Sequence, residues 1–466
     1  MVGALGKALV HAGHEVVVVT PLYRGVREKF PQVRPMDWHF DLPMGSGWAH
    51  GGLWSAATET GPTVYFIAQP YFFDRAGIYH EQNVSYADND ARYIFFSKCV
   101  VQLARYLPWR PDLVHVHDWQ TGLVPALMQQ QRNEGWGNPP PTCLTIHNLA
   151  YQGVFPAASY QLTNLPGKIF NPEGAEYYGY LNCLKAGIAY ADTITTVSPR
   201  YAREITTEEF GCGLDGLLRK RQSHLFGILN GVDYGDWNTT KKNPNLFQWY
   251  SASRMAGKKA NKAELQKLCG LTVDDSVPLF GTISRLAEQK GVDIELGALE
   301  EMLNTRMQFV LLGSGSPDYE RGYQVLARRF PGKVSVHIGY DEKLAHRIEA
   351  GCDFYLMPSQ FEPCGLNQMY SLRYGTIPVV RAIGGLDDSV TDYAENAEQA
   401  NGIKFHDYSA RTLARAIRKA LVLYNQPELF RRYQRNAMQA NYSWEQTVNE
   451  YVKVYELACS FMPRGR

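Results

Sequence analysis

Short apolar runs of strand length recur along the chain, separated by stretches whose apolar residues return at helical spacing. Residues 14–20 carry four consecutive valines, the pattern of a strand covered on both faces. Further runs at 112–119, 142–148, 192–197 and 226–229 read as strands of a first half. The second half repeats the pattern at 278–284, 308–313, 334–338, 352–357 and 376–380. Residues 1–13 read as an amphipathic helix. Residues 30–62, rich in Gly, Pro and Trp, have no clear period and read as an excursion from the sheet. Strand–helix alternation implies parallel sheets covered on both sides. A chain of 466 residues is too long for one ordinary core. The expectation is α/β: two Rossmann-like, doubly wound domains, with a ligand site in the cleft between them. A polar tract at 239–262 puts the boundary near 240, giving domains at 1–240 and 241–442 and a terminal segment at 443–466.

Composition narrows the function. The 47 basic and 46 acidic residues nearly cancel, and no long run of one sign stands out. Nucleic acid and membrane surfaces are therefore poor partners. No apolar stretch is long enough to span a bilayer. The eight cysteines are scattered without a CxxC pair, which suits a reducing compartment and argues against a disulfide framework or zinc site.

Candidate chemistry collects at strand exits, where open α/β sheets bind ligands. His115 and His117 lie two apart on a strand, a spacing that could serve a metal, but no further ligands cluster with them. Asp118 ends that strand. His147 and Asn148 end the next, and Asn230-Gly231 marks a turn after a third. In the second half, Arg285 and Lys290 could converge on a diphosphate, though a solvated basic pair is the ordinary outcome. Gly313-Ser314-Gly315 and Gly384-Gly385 would let backbone approach a phosphate or sugar. Tyr340 could stack on a base or simply pack. Glu362 falls between the strand at 352–357, ended by Pro358, and a helix at 365–374.

These blocks together resemble the bacterial glycogen synthase and plant starch synthase family over nearly the whole chain. The resemblance rests on 115–119, 147–153, 228–233, 284–291, 362–366 and 384–386, with 86–93 in support. It implies the glycosyltransferase B architecture, with the segment at 443–466 returning to the first domain. It also implies glucose transfer from ADP-glucose to the nonreducing 4-hydroxyl of an α-1,4-glucan, with retention and with no metal or other cofactor. By resemblance Glu362 sits at the donor glucose, Arg285 and Lys290 at the diphosphate, and His147 and Asp118 at the transferred glucose or acceptor. Asn148 and Asn230 would help place sugar, and Tyr340 would stack on adenine. The N–H groups of Cys364, Gly365, Leu366, Gly384 and Gly385 would hold donor oxygens. A bacterial cytoplasm or a plastid is the implied location. The family's opening strand and Lys-x-Gly-Gly-Leu loop would precede the part that residues 1–6 match, so the first domain is expected without that strand. Ile383 stands where the family commonly has Thr. Two alternatives stay open: a catalytically impaired glucan-binding homologue, and a same-fold enzyme using another nucleotide sugar.

Overall fold

In the computed structural model, which describes residues 1–82 and 84–461, the apolar runs of the second half become strands buried on both faces. The chain divides into two compact units. Unit 1 comprises Met1–Val197, Ala202–Ile228 and the chain from Trp444; unit 2 comprises Ser198–Tyr201 and Leu229–Ser443. The division thus falls before the expected 240. The polar tract after it is folded into unit 2: Tyr250 is buried and donates to Tyr374 O at 2.8 Å, and Asn243 donates to the Tyr374 hydroxyl at 2.9 Å.

Unit 1 contains two four-stranded sheets. In the first, β1 (Val17–Pro21), β2 (Arg34–Met44), β3 (Gly47–Ala56) and β4 (Thr63–Ala68) are ordered β1-β4-β3-β2. Only β1 and β4 are parallel. The expectation of an excursion at 30–62 is therefore corrected: β2 and β3 form a long hairpin within the sheet. Phe40, Leu42 and Met44 alternate inward, and Gly45 turns the chain with φ +65°. Pro35 and Pro43 are tolerated because β2 lies at the sheet edge. A small pair, β5 (His80–Glu81) and β6 (Val84–Ser85), follows. The second sheet is parallel, with β7 (Val114–His117), β8 (Thr142–Ile146), β12 (Thr193–Thr196) and β13 (Leu225–Gly227) ordered β13-β12-β8-β7. Between β8 and β12 the chain makes a three-stranded sheet from β9 (Val154–Pro156), β10 (Glu176–Tyr177) and β11 (Tyr180–Asn182). The first helix, Val2–His11, buries Leu5, Ala8 and Leu9 against Trp444, Val448 and Tyr451 of the last helix, Trp444–Ser460. Residues 462–466 of the expected terminal segment lie outside the described residues.

Unit 2 has six parallel strands: β14 (Leu279–Leu286), β15 (Gln308–Gly315), β16 (Val334–Ile338), β17 (Phe354–Met357), β18 (Ile377–Arg381) and β19 (Ile403–Phe405). Their order, β16-β15-β14-β17-β18-β19, is the 3-2-1-4-5-6 order of a dinucleotide-binding sheet. Its switch point lies between β14 and β17. One large apolar cluster, including Phe280, Phe309, Phe354, Leu413 and Ile417, joins the sheet to its helices. Such a core fixes the strand exits to within small motions.

Candidate active site

In unit 2 the chemistry gathers at the switch point. β14 carries Arg285 near its carboxyl end, where the side chain is exposed. A single turn, Glu288–Lys290, follows and is closed by Gly291 at φ +73°. A Cβ on Gly291 would stand 2.1 Å from Pro358 O, so only glycine lets the turn reach the loop after β17. The two loops are stitched together: Gln360 N–H donates to Gln289 O at 2.9 Å, and the Gln289 amide donates to Phe361 O at 3.3 Å. This stitching brings the Lys290 ammonium to 2.6 Å from Glu362 Oε2, which also accepts from Ser359 Oγ at 3.1 Å. Glu362 is 7 % exposed. A strand-exit carboxylate and a cation are therefore held as one unit.

The next residues wrap this pair. Cys364 is buried, and burial pushes its thiol up to about 12 even though Asn230 donates to it from both backbone and side chain. It is a packed thiol, not a nucleophile. Asn230 Oδ1 is buried with no partner among the described residues, an acceptor that a ligand hydroxyl would satisfy. Gly384 and Gly385 allow close loop contact: a Cβ would stand 2.0 Å from Glu362 O at the first and 2.1 Å from Cys364 O at the second. The Gly385 N–H donates to Glu362 O at 3.1 Å and Pro363 O at 3.2 Å. That corrects the expectation that it would hold a donor oxygen: its hydrogen is already committed to the neighbouring loop. The N–H groups of Cys364, Gly365 and Leu366 have no such bonds among the described residues. Gly315 likewise gives its N–H to Glu320 Oε1 at 2.9 Å, so the Gly-Ser-Gly segment serves strand packing.

Gln368, which the sequence reading passed over, pins these loops. Fully buried, its amide nitrogen lies 3.0 Å from Cys364 O, 3.1 Å from Gly365 O and 3.0 Å from Ser389 Oγ. Ser389 in turn donates to Gly385 O at 2.5 Å. A glutamine two residues beyond the glutamate loop, in the helix expected at 365–374, was the available signal. Tyr340 is 86 % exposed at the exit of β16, after Gly339 at φ +128°, with its ring open to a ligand. Leu366 is partly exposed.

In unit 1 a second group forms at the exits of β7 and β8. Asp118 adopts φ +53°, rare for a residue with a side chain. This turns its carboxylate onto the N–H groups of His147, at 2.7 Å, and Asn148. Burial raises the Asp118 carboxyl above its ordinary value, and those N–H bonds with His147 oppose the rise. His147 Nε2 lies 3.1 Å from His117 Nδ1. Burial lowers both imidazoles, most strongly His117, so both are neutral near pH 7. His115 is pushed to about 3 by burial, and its two nitrogens meet the Tyr455 hydroxyl at 2.8 Å and the Thr145 hydroxyl at 2.6 Å. With both nitrogens engaged, His115 has none left for a metal. Asn148 Oδ1 accepts the Ala150 N–H at 3.1 Å, shaping the loop. Asp118, His147 and Asn148 thus form one constellation, and Arg285, Lys290, Glu362, Asn230 and the loop glycines belong to the other.

Both halves of the chain are similar to known proteins. Residues 1–220 match the starch synthase catalytic domain, and residues 270–438 match glycosyl transferases group 1. A glycogen synthase of Syntrophotalea carbinolica is 41% identical over 461 residues, covering 98% of this chain and 94% of that protein. The chain belongs to the glycogen synthase and starch synthase family. A glycogen synthase of an Anaeromyxobacter species is 44% identical over 456 residues, covering 97% of this chain and 94% of its own length. The catalytic domain of starch synthase IV from Arabidopsis thaliana, solved with ADP and acarbose, superposes with TM-score 0.87 at 33% identity, covering 98% of this chain and 95% of that one. Sucrose-phosphate synthase from Thermosynechococcus elongatus shares the fold, with TM-score 0.59 at 16% identity. The chain is a glycosyltransferase of the B-type fold, and its function is that of its family, glucan synthesis. Among the described residues no helix is long and apolar enough to cross a membrane.

Proposed function

We propose that the chain moves glucose from ADP-glucose to the nonreducing 4-hydroxyl of an α-1,4-glucan with retention of configuration. The observation that carries this reading is the Lys290–Glu362 pair at the switch point, in a chain of this family. The bond between glucose C1 and the β-phosphate oxygen breaks, and its electron pair leaves with ADP. The acceptor oxygen bonds to C1 from the same face, and its proton passes to the departing phosphate oxygen. Retaining glycosidases need an acid for a poor leaving group. Here a diphosphate leaves, so neutralising charge matters more than supplying a proton. Lys290 and Arg285 take that role. Glu362 faces the positive charge that develops at C1. Asn230, whose carbonyl oxygen is unmatched, and the N–H groups of Cys364, Gly365 and Leu366 hold donor oxygens. Tyr340 covers the base. Asp118, with His147 and Asn148 held on it, addresses the transferred glucose or acceptor, with His147 donating or accepting as a neutral imidazole. No metal or other cofactor enters this scheme. The unpaired cysteines and the bacterial relatives favour a reducing compartment such as a bacterial cytoplasm or a plastid.

Transfer of labelled glucose from ADP-glucose onto glycogen, in competition with UDP- and GDP-glucose, tests the proposal. Preferential transfer from ADP-glucose upholds it. Transfer from another donor replaces the assigned base, and glycogen binding without transfer from any donor overturns the catalytic reading.

A further inference from the structure

The hairpin of β10 and β11 presents tyrosines to solvent where the ordinary forces of folding would not put them. Tyr178 is 81 % exposed and Tyr180 52 %. Tyr178 sits at the tip with φ +49°, followed by Gly179 at φ +84°. A bulky aromatic residue in the left-handed region is a genuine outlier, and such strain points to function. The tip is nevertheless held by hydrogen bonds. Gly179 N–H donates to Glu176 Oε1 at 2.6 Å, and the Tyr177 hydroxyl donates to Cys212 O at 3.2 Å. Tyr177 and Tyr180 are cross-strand partners, so they share one face of the sheet, and Pro156 of β9 continues that face beside Tyr180. The Tyr177 and Tyr178 rings meet edge to face, 4.7 Å apart. Two of the rings therefore pack on each other at the tip, with Tyr180 opposite Tyr177 across the strands.

The hairpin hangs on the loop that carries His147. Asn182 donates to Gln152 Oε1 at 2.6 Å, and Cys183 and Leu184 donate to the carbonyls of Gly153 and Gln152 at 3.1 and 3.0 Å. Gly153 itself packs against Trp119, directly after Asp118: a Cβ there would stand 2.5 Å from the indole ring. The hairpin is thus tied through Gln152 and Gly153 to the loop that follows His147 and to Trp119, the neighbour of Asp118. Tyr151, also exposed, lies within the same loop.

We infer that Tyr177, Tyr178 and Tyr180 form an accessory footing for the glucan chain, outside the transfer site, stacking on the apolar faces of its glucose rings. A tyrosine suits this partner because its face is apolar and its hydroxyl remains wet. An exposed aromatic cluster of this kind marks an interaction surface, and a polymer whose end is held at Asp118 and His147 extends past its reacting residue. The inference rests on the glucan acceptor proposed above.

The test uses the full chain with Tyr178→Asn and Tyr180→Ser together; asparagine removes the ring yet suits the left-handed backbone. Glycogen affinity without donor, measured by affinity electrophoresis, is expected to fall about tenfold, and the KM for glycogen to rise in step. Transfer to maltose and the KM for ADP-glucose are expected to be unchanged. The pair Tyr178→Phe and Tyr180→Phe is expected to restore glycogen affinity. Unchanged glycogen affinity in the Asn/Ser variant overturns the inference, as does an equal loss toward maltose. So does a change confined to self-association, which would assign the rings to a second copy. If the wild-type chain transfers no glucose, the reaction assignment falls by itself, while ring-dependent glycogen binding still upholds the footing.

Discussion

Lys290 and Glu362 are 72 positions apart, yet Nζ and Oε2 stand 2.6 Å from each other. The contact joins the exits of β14 and β17, the two strands flanking the switch point. The Lys290 side chain keeps 21 % exposure and that of Glu362 only 8 %, so the carboxylate is shielded while the ammonium still reaches solvent. Removing the carboxylate therefore leaves a cation that water can solvate. Glu362→Ala is expected to fold normally and to lose about 10²–10³ in turnover, the scale for one preorganised charge. Near-normal turnover, measured as labelled glucose transfer, would remove Glu362 from the reaction.

Lys290→Ala separates donor from acceptor. If the ammonium serves the diphosphate, the KM for ADP-glucose rises while glycogen affinity holds. Equal losses for both would make Lys290 a structural partner of Glu362 only.

Gln368 offers a sharper test because its amide nitrogen reaches three oxygens, those of Cys364, Gly365 and Ser389. Gln368→Glu places a carboxylate against two carbonyls, a steric match with the wrong charge. It is expected to raise the KM for ADP-glucose more than Gln368→Met does, and to cost about 1–3 kcal/mol in unfolding experiments. If the glutamate variant matches wild type in both readouts, the two loops are held by their glycines alone.

The sequence exposed unit 2 more readily than unit 1 for a physical reason. Parallel strands covered on both faces read as unbroken apolar runs, and Phe309 to Leu312 are all buried. β2 shows inward alternation only at Phe40, Leu42 and Met44, and it contains Pro35 and Pro43, which usually argue against a strand. Individual site residues were legible as strand-exit polar groups, but their pairings were not. In the aromatic loop at 71–79 the adjacent Asp74 and Arg75 take distant partners, Asp74 with Arg24 and Arg75 with Asp88. Nor could Gly384-Gly385 reveal that one N–H faces a carbonyl instead of a ligand. Direction is a tertiary property, set by loops that meet only after the sheet has formed.

Unit 1 is expected to weaken in acid. His115, His117 and His147 are held below their ordinary values by burial, so the native state stays neutral where the unfolded chain takes up protons. Stability is then present above about pH 6.5 and falls as pH drops below it, toward about 3 for His115. Asp118, raised by burial, works in the opposite sense nearer its own range. Thermal unfolding from pH 7.5 to 5 is expected to show a falling Tm, with a shallower fall in His115→Gln. Parallel profiles would mean that His115 titrates freely.

Unit 2 contains a group of the opposite sign. Glu295 is fully buried beneath β14, where its oxygens accept from the Tyr323 hydroxyl at 2.8 Å and the Thr282 hydroxyl at 3.2 Å. Burial raises its carboxyl to about 7, and those two hydrogen bonds oppose the rise. The native state then keeps a proton that the unfolded chain releases from its ordinary value of 4.5 upward. Its stabilising contribution is complete below that value and is lost as pH rises through about 7. Glu295→Gln fixes the neutral shape at every pH. Relative to wild type, the variant's Tm is expected to climb between pH 5 and about 7 and to level off above that, because only the wild type must ionise a carboxyl in the core. A constant difference across that range would show that Glu295 keeps one protonation state throughout, and that Tyr323 and Thr282 offset its burial.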